Sequence, residues 1–148
     1  ESMFFTQTIV ILGMSLGGLL FSIGVIPSLL EAIRAFLTNA GRATFSVAMT
    51  SVGVNFLIGE QYLSILLSGE TFKPVYDKLG LHSRNLARTL EDAGTVINPL
   101  VPWSVCGVFI SHALGVPVWE YLPYAFFCYL SLALTLVFGW TGLTLSKK

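Results

Sequence analysis

Two carboxylates stand where the surrounding residues leave little water for them. Asp92 sits in Arg88-Thr89-Leu90-Glu91-Asp92-Ala93-Gly94-Thr95, and Glu60 follows Asn55-Phe56-Leu57-Ile58-Gly59. Isolated charge at the centre of a bilayer costs about 2.5 kcal/mol or more, so acids at that depth face a cavity or a partner. Carboxylate, main-chain carbonyl, hydroxyl and amide oxygens are hard donors, the set that a Na⁺ ion takes. Asp92, Glu60 and Thr95 are the candidate Na⁺ ligands, with the amides of Asn55 and Asn98 beside them. There is no Cys/His cluster with transition-metal spacing. Desolvation favours the protonated form of a buried carboxylate, and a bound cation favours the charged form. One such group holds a proton or a cation in turn.

These side chains need a broken helix to position them. Within 83–114, Gly94, Pro99 and Pro102 interrupt an otherwise helical pattern, since glycine costs helix stability and proline removes a donor. Pro102 suits the first turn of the second half. The first half-helix aims the negative end of its dipole, and the carbonyls freed by the break, at the interruption. On that half, Asn85, Thr89 and Asp92 are spaced i, i+4, i+7 and share a face, while Arg84, Arg88 and Glu91 form a neighbouring one. Glu91 is therefore the expected ion-pair partner of Arg88 and Asp92 the expected ligand. The competing reading pairs Asp92 with Arg88. For Glu60 the competing role is to cap a helix N-terminus.

Composition makes a bilayer the solvent. The 148 residues are 54% hydrophobic and 11% charged, against about 25% charged in an average soluble domain. The fold class expected is all-α, a polytopic integral membrane protein. Net charge is zero, which gives no electrostatic footprint for nucleic acid. A first span is expected over about 3–30, where no side chain is charged, and a last over 120–142. Residues 43–72 read as a re-entrant hairpin, with arms from Ala43 to Val54 and from Glu60 to Phe72 of about 18–20 Å each.

Charge placement favours the hairpin over a single crossing. Arg34 and Arg42 precede it and Lys73, Lys78, Arg84 and Arg88 follow it, so a segment that turns back keeps these bases on one face. That face is the cytoplasmic one, where Lys147 and Lys148 also end. Trp119, Tyr121 and Tyr124 would mark the outer interface and Trp140 the inner one. Cys106 and Cys128 sit in apolar segments and read as small buried hydrophobes. His112 is expected to hydrogen-bond between helices, and His82 to lie in a loop. Thr50 and Ser51 line the ion path or bond back to their own helix. The chain does not begin with Met, which suggests a fragment.

Asn55 through Tyr62 with the following Leu-Ser-Ile-Leu-Leu-Ser-Gly, the run Arg88 to Thr95 and Asn98-Pro99-Leu100-Val101-Pro102-Trp103 with Cys106-Gly107 resemble the C-terminal half of NhaC-type Na⁺/H⁺ antiporters. Tyr121 to Phe127 is similar too. The resemblance implies an ion-transporter fold of inverted repeats, each holding a re-entrant hairpin and a broken helix, and Na⁺/H⁺ antiport at a prokaryotic plasma membrane. It implies that 1–148 is one repeat of a transporter domain and that a missing N-terminal half is a partner. Glu60 stands where the family more often carries Asp. The implied protein is a transporter and not an enzyme, with no cofactor and with Na⁺ and H⁺ as cargo; oligomeric state, including a homo-oligomer, is left open. Two alternatives stand beside it: a Na⁺- or H⁺-coupled exchanger of carboxylates such as malate and lactate, with the half-helix N-termini at Glu60 and Val101 as anion sites, and a non-transporting membrane packing subunit.

Overall fold

A computed structural model describes residues 2–25, 28, 31–32 and 39–147. The described chain is helical nearly throughout: α1 (Ser2–Ser22), α2 (Ala40–Ile58), α3 (Gln61–Lys78), α4 (Ser83–Leu90), α5 (Val105–Leu114), α6 (Val118–Tyr121) and α7 (Phe126–Thr141). A π-turn, Glu91–Thr95, and a 3₁₀ turn, Asn98–Leu100, extend α4, and a second 3₁₀ turn, Leu122–Tyr124, joins α6 to α7. The expected first span begins as α1 and turns at Ile23–Gly24, where Gly24 takes φ +85°. Residues 26, 27, 29 and 30 of that span, with Arg34 and Lys148, lie outside the described residues.

Helices α2 and α3 fold back on each other as an antiparallel hairpin. Ser64 Oγ donates to the Ser51 carbonyl at 2.6 Å, and the two serine hydroxyls are 2.9 Å apart. Nearer the open end, the Thr44 and Tyr76 hydroxyls meet at 3.3 Å. The tip is chemically specified. Gly59 ends α2 at φ 74°, a left-handed conformation that glycine adopts without penalty, and its N–H returns to the Asn55 carbonyl. Glu60 then caps α3. The arms are 19 and 18 residues long, or about 27–28 Å each, and so outrun the apolar stretch on which the sequence estimate rested. Pro74 does not stop α3.

The core lies between the hairpin arms and α4. Val47, Phe72 and Tyr76 are fully buried or nearly so, and Leu81, Leu86 and Leu90 close over them. Helix α7 packs along α2, where Gly139 permits close approach. A Cβ there would lie 2.5 Å from Thr44 Cγ2, and a β-branched threonine in a helix has little rotamer freedom to retreat. The C-terminal tail closes the same end of the molecule: His82 N–H donates to the Ser146 carbonyl at 2.9 Å, and Leu81 bridges Lys147.

Among the described residues no single helix is long and apolar enough to cross a membrane. Two bent pairs meet the length and composition together: Ser83–Leu100 with Val105–Leu114, bent by 46°, and Val118–Tyr124 with Phe126–Thr141, bent by 56°. The outward face of α7 is apolar. Phe126, Phe127, Leu130, Leu134 and Val137 of α7 are exposed, as are Leu12, Leu16 and Leu19 of α1. An apolar surface of this extent is unusual on a water-soluble monomer.

Gly139→Ala in the full-length protein is expected to lower stability by about 1–3 kcal/mol through overpacking, read as a drop in thermal midpoint in detergent. An unchanged midpoint would show that α7 does not press on Thr44 in this way.

Candidate functional site

The interruption is built in three steps from the sequence. At Glu91 the helix widens, with Val96 N–H reaching back five residues to the Glu91 carbonyl at 3.1 Å, so Gly94 ends up inside a π-turn and does not terminate the helix. Pro99 is accommodated early in the 3₁₀ turn that follows. The stop comes at Val101, whose extended conformation (φ -88°, ψ 115°) is the one a following proline imposes. The new helix begins beyond Pro102: Ser104 caps α5 by accepting the Gly107 N–H at 2.9 Å. The break therefore falls at 101–104, later than the glycine suggests, and Pro102 precedes the second half-helix instead of opening its first turn.

Side chains from three directions satisfy the freed main chain. Asn55 Nδ2 donates to the Gly94 carbonyl at 2.6 Å, Tyr121 donates its hydroxyl to the Pro99 carbonyl at 2.5 Å, and Ser104 Oγ donates to the Asn98 carbonyl at 2.6 Å. Asn98 donates through Nδ2 to Asn55 Oδ1 at 2.5 Å, and its Oδ1 accepts the Cys106 N–H at 3.3 Å. Both asparagines are completely buried. The hairpin tip is stitched to the break as well, with Val105 N–H on the Gly59 carbonyl at 3.0 Å and the Trp103 indole on the Phe56 carbonyl at 2.7 Å. The Trp103 ring meets Phe56 edge to face, with centroids 4.4 Å apart.

Of the five candidate ligands, Asn55 and Asn98 are brought into direct contact, and Thr95 is half-buried at the end of the π-turn. Asp92 points elsewhere. Its half-buried carboxylate accepts from Ser131 Oγ at 2.5 Å on one oxygen and from Thr135 Oγ1 on the other. Glu60 is half-buried at the tip, where Oε2 accepts the Leu63 N–H at 2.9 Å, so it fills the capping role. It also faces a cavity of about 240 Å³ between α1, the tip and Trp103. No hydrogen bond joins Glu60 to Asp92 among the described residues; their partners come from different elements.

The neighbouring charges are arranged differently from the spacing argument. Arg88 donates to Thr144 Oγ1 at 3.1 Å and lies over the Phe138 ring at 4.8 Å, while Glu91 is exposed. Among the described residues, Arg88 pairs with neither Glu91 nor Asp92. The reason is tertiary: α7 and the tail supply partners that spacing within one helix cannot reveal. Asn85, Thr89 and Asp92 do face one way, toward that tail and α7, and Asn85 exchanges two hydrogen bonds with the Ser146 backbone.

The remaining polar residues divide. Ser51 crosslinks the hairpin, whereas the buried Thr50 hydroxyl has no partner among the described residues. His82 caps α4 through Nδ1. His112 is exposed, on the rim of an open cavity of about 600 Å³ with Ser111 and Trp119. Cys106 and Cys128 are free thiols. Tyr121, expected at an interface, is half-buried against the break, because an unpaired proline-flanked carbonyl needs its hydroxyl more. Ser131 and Thr135 escaped the sequence reading. Their i, i+4 spacing in an otherwise apolar stretch was the available signal.

Asn55→Ala and Asn98→Ala are each expected to cost about 1–3 kcal/mol, because each leaves a buried partner unsatisfied. The double variant should cost less than their sum, with coupling of about 0.5–3 kcal/mol. Additive losses in thermal unfolding would show that the two amides do not act as one unit.

Residues 1–143 match the model described as the Na+/H+ antiporter family. Over its whole length the chain is 47% identical to the Na(+)/H(+) antiporter NhaC of Alkalihalophilus pseudofirmus and covers 32% of that protein. It is 44% identical to NhaC of Bacillus subtilis, with 94% of this chain aligned to 31% of the relative. The arginine/ornithine antiporter ArcD of Halobacterium salinarum is 38% identical over the whole chain and 30% of its own length. A malate-2H(+)/Na(+)-lactate antiporter of Bacillus subtilis is more distant, at 32% over 90% of this chain and 29% of its own. The chain thus spans about a third of the length of the curated relatives it matches. No solved structure matches it.

Proposed function

Since this chain belongs to the Na⁺/H⁺ antiporter family, we propose that it is one part of a secondary transporter that exchanges Na⁺ for H⁺ across the plasma membrane. In this reading Asp92 is the exchangeable carboxylate. The observation that carries it is the placement of Asp92 in a π-turn just before a break, inside an apolar bundle, with no cation-bearing side chain paired to it among the described residues. Main-chain irregularity beside an intramembrane acid is what cation sites in transporters use. π-turns also recur at functional positions.

Glu60 is the second acid of the unit, at the hairpin tip, and shares no hydrogen bond with Asp92 among the described residues. One of its oxygens caps α3 and its side chain faces the cavity beside α1, so the carboxylate is reachable and fixed in place at once. Thr95, Asn55 and Asn98 supply oxygens near the break. The two amides already bond to each other and to main chain, which favours a positioning role over direct coordination. Hairpin α2–α3 enters the membrane and returns on the same side. Arg42, Lys73, Lys78, Arg84 and Lys147 all lie toward its open end, and the positive-inside tendency makes that end cytoplasmic. The pairs 83–114 and 118–141 cross outward and back. The inverted-repeat partner of this unit belongs to the rest of the protein.

A second reading, exchange of an organic solute such as malate for lactate, is favoured by the family's breadth: relatives named for arginine/ornithine and for malate and lactate share this stretch. The greater identity to the NhaC antiporters supports the ion reading first.

In proteoliposomes of the full-length protein, Asp92→Asn is expected to abolish Na⁺-dependent proton flux, a loss of about 100-fold or more, while expression is retained. Retained flux would remove Asp92 from the mechanism. Uptake of labelled dicarboxylate by the unsubstituted protein, without a Na⁺-driven proton signal, would favour the organic-solute reading.

A further inference from the structure

Helix α7 contributes two hydroxyls that the sequence pattern did not single out. Ser131 and Thr135 are one turn apart on the face that meets the π-turn, and each donates to a different oxygen of Asp92. A hydroxyl has one proton and two lone pairs. With its proton on the carboxylate, each still has lone-pair capacity, so two carboxylate and two hydroxyl oxygens converge on one spot. Thr135 is 3% exposed, and the rest of its helical neighbourhood, Leu132 to Leu134 and Leu136 to Phe138, carries no polar side chain.

An independent feature leads to the same place. A narrow crevice of about 10 Å³ is lined by Thr44, Asn85, Thr89, Thr135 and Thr144 together with the Arg88 guanidinium side chain and the apolar Phe138, Gly139 and Leu145. Its volume is at the lower limit for holding one water molecule. At one end are Thr144 and Arg88, beside the base-rich open end of the hairpin; at the other is Thr135, whose hydroxyl rests on Asp92.

We propose that Ser131 and Thr135 coordinate the transported cation together with Asp92. This rests on the antiport reading and extends the site to α7, a helix distinct from the hairpin and the broken helix. Binding Na⁺ at Asp92 thereby ties α7 to the π-turn.

The test uses the full-length protein in detergent, with thermal stabilisation by Na⁺ and by Li⁺ as the readout, since an ion bound only to the folded state raises stability by mass action. Combining Ser131→Ala with Thr135→Val, which removes both hydroxyls at nearly constant volume, is expected to raise the half-saturating Na⁺ concentration by about tenfold or more and to change the Na⁺/Li⁺ preference. Thr135→Ser, which keeps the hydroxyl, should stay close to the parent in both. If the double variant does not fold, Ser131→Ala alone carries the comparison: a raised half-saturating concentration supports the proposal and an unchanged one overturns it. An unaltered half-saturation and ion preference in the double variant, with a parent that responds to Na⁺, overturns the role of α7 and leaves the antiport reading standing. A parent that neither ion stabilises removes both.

Discussion

A helix that stops inside an apolar bundle leaves carbonyls and amides that water cannot reach, and each costs several kcal/mol if unpaired. The architecture around residues 91–107 answers that constraint. Asn55 reaches across from the hairpin to Gly94, Tyr121 comes from the next bent segment to Pro99, and Ser104 folds back onto Asn98. Each donor comes from a different element. The interruption thereby becomes the point at which the hairpin, the broken helix and the last bent pair are fastened together.

This fastening separates two kinds of polar group that sequence spacing treats alike. The buried amides are consumed by the main chain and by each other, and they fix the shape of the break. Among the described residues Asp92 is held by two hydroxyls, which gathers oxygen atoms on the α7 side. Hydroxyl contacts carry no fixed charge that would lock the carboxylate in one state. Glu60, capping α3 at the tip, couples a carboxylate to the N-terminus of a helix that packs against the same break.

The bases show how tertiary contacts reassign charge. Arg88 is one turn from Asp92 on the same helix, a spacing at which opposite charges attract. It turns instead to Thr144 and the face of Phe138, where a guanidinium gains a hydrogen bond and a cation–π contact together. The acid is left to its hydroxyl partners. Arg84 and Lys147 gather toward the same end as Arg88, beyond the apolar core, because the tail folds back beside the start of α4.

The sequence by itself determined the helical character, the affinity for an apolar solvent, a turn somewhere between Val54 and Glu60 and the existence of an interruption after Asp92. These follow from short-range causes: a glycine that takes φ 74°, prolines without donors, and long runs without charge. Tertiary structure alone decided which polar groups meet. It set the stop at Val101 in place of Gly94, engaged Asn55 and Asn98 with the main chain, released Asp92 from Arg88 and brought Ser131 and Thr135 onto it. The physical reason is that a hydrogen bond needs two groups within about 3 Å, and residues some forty positions apart reach that distance only once packing has chosen which helix faces touch.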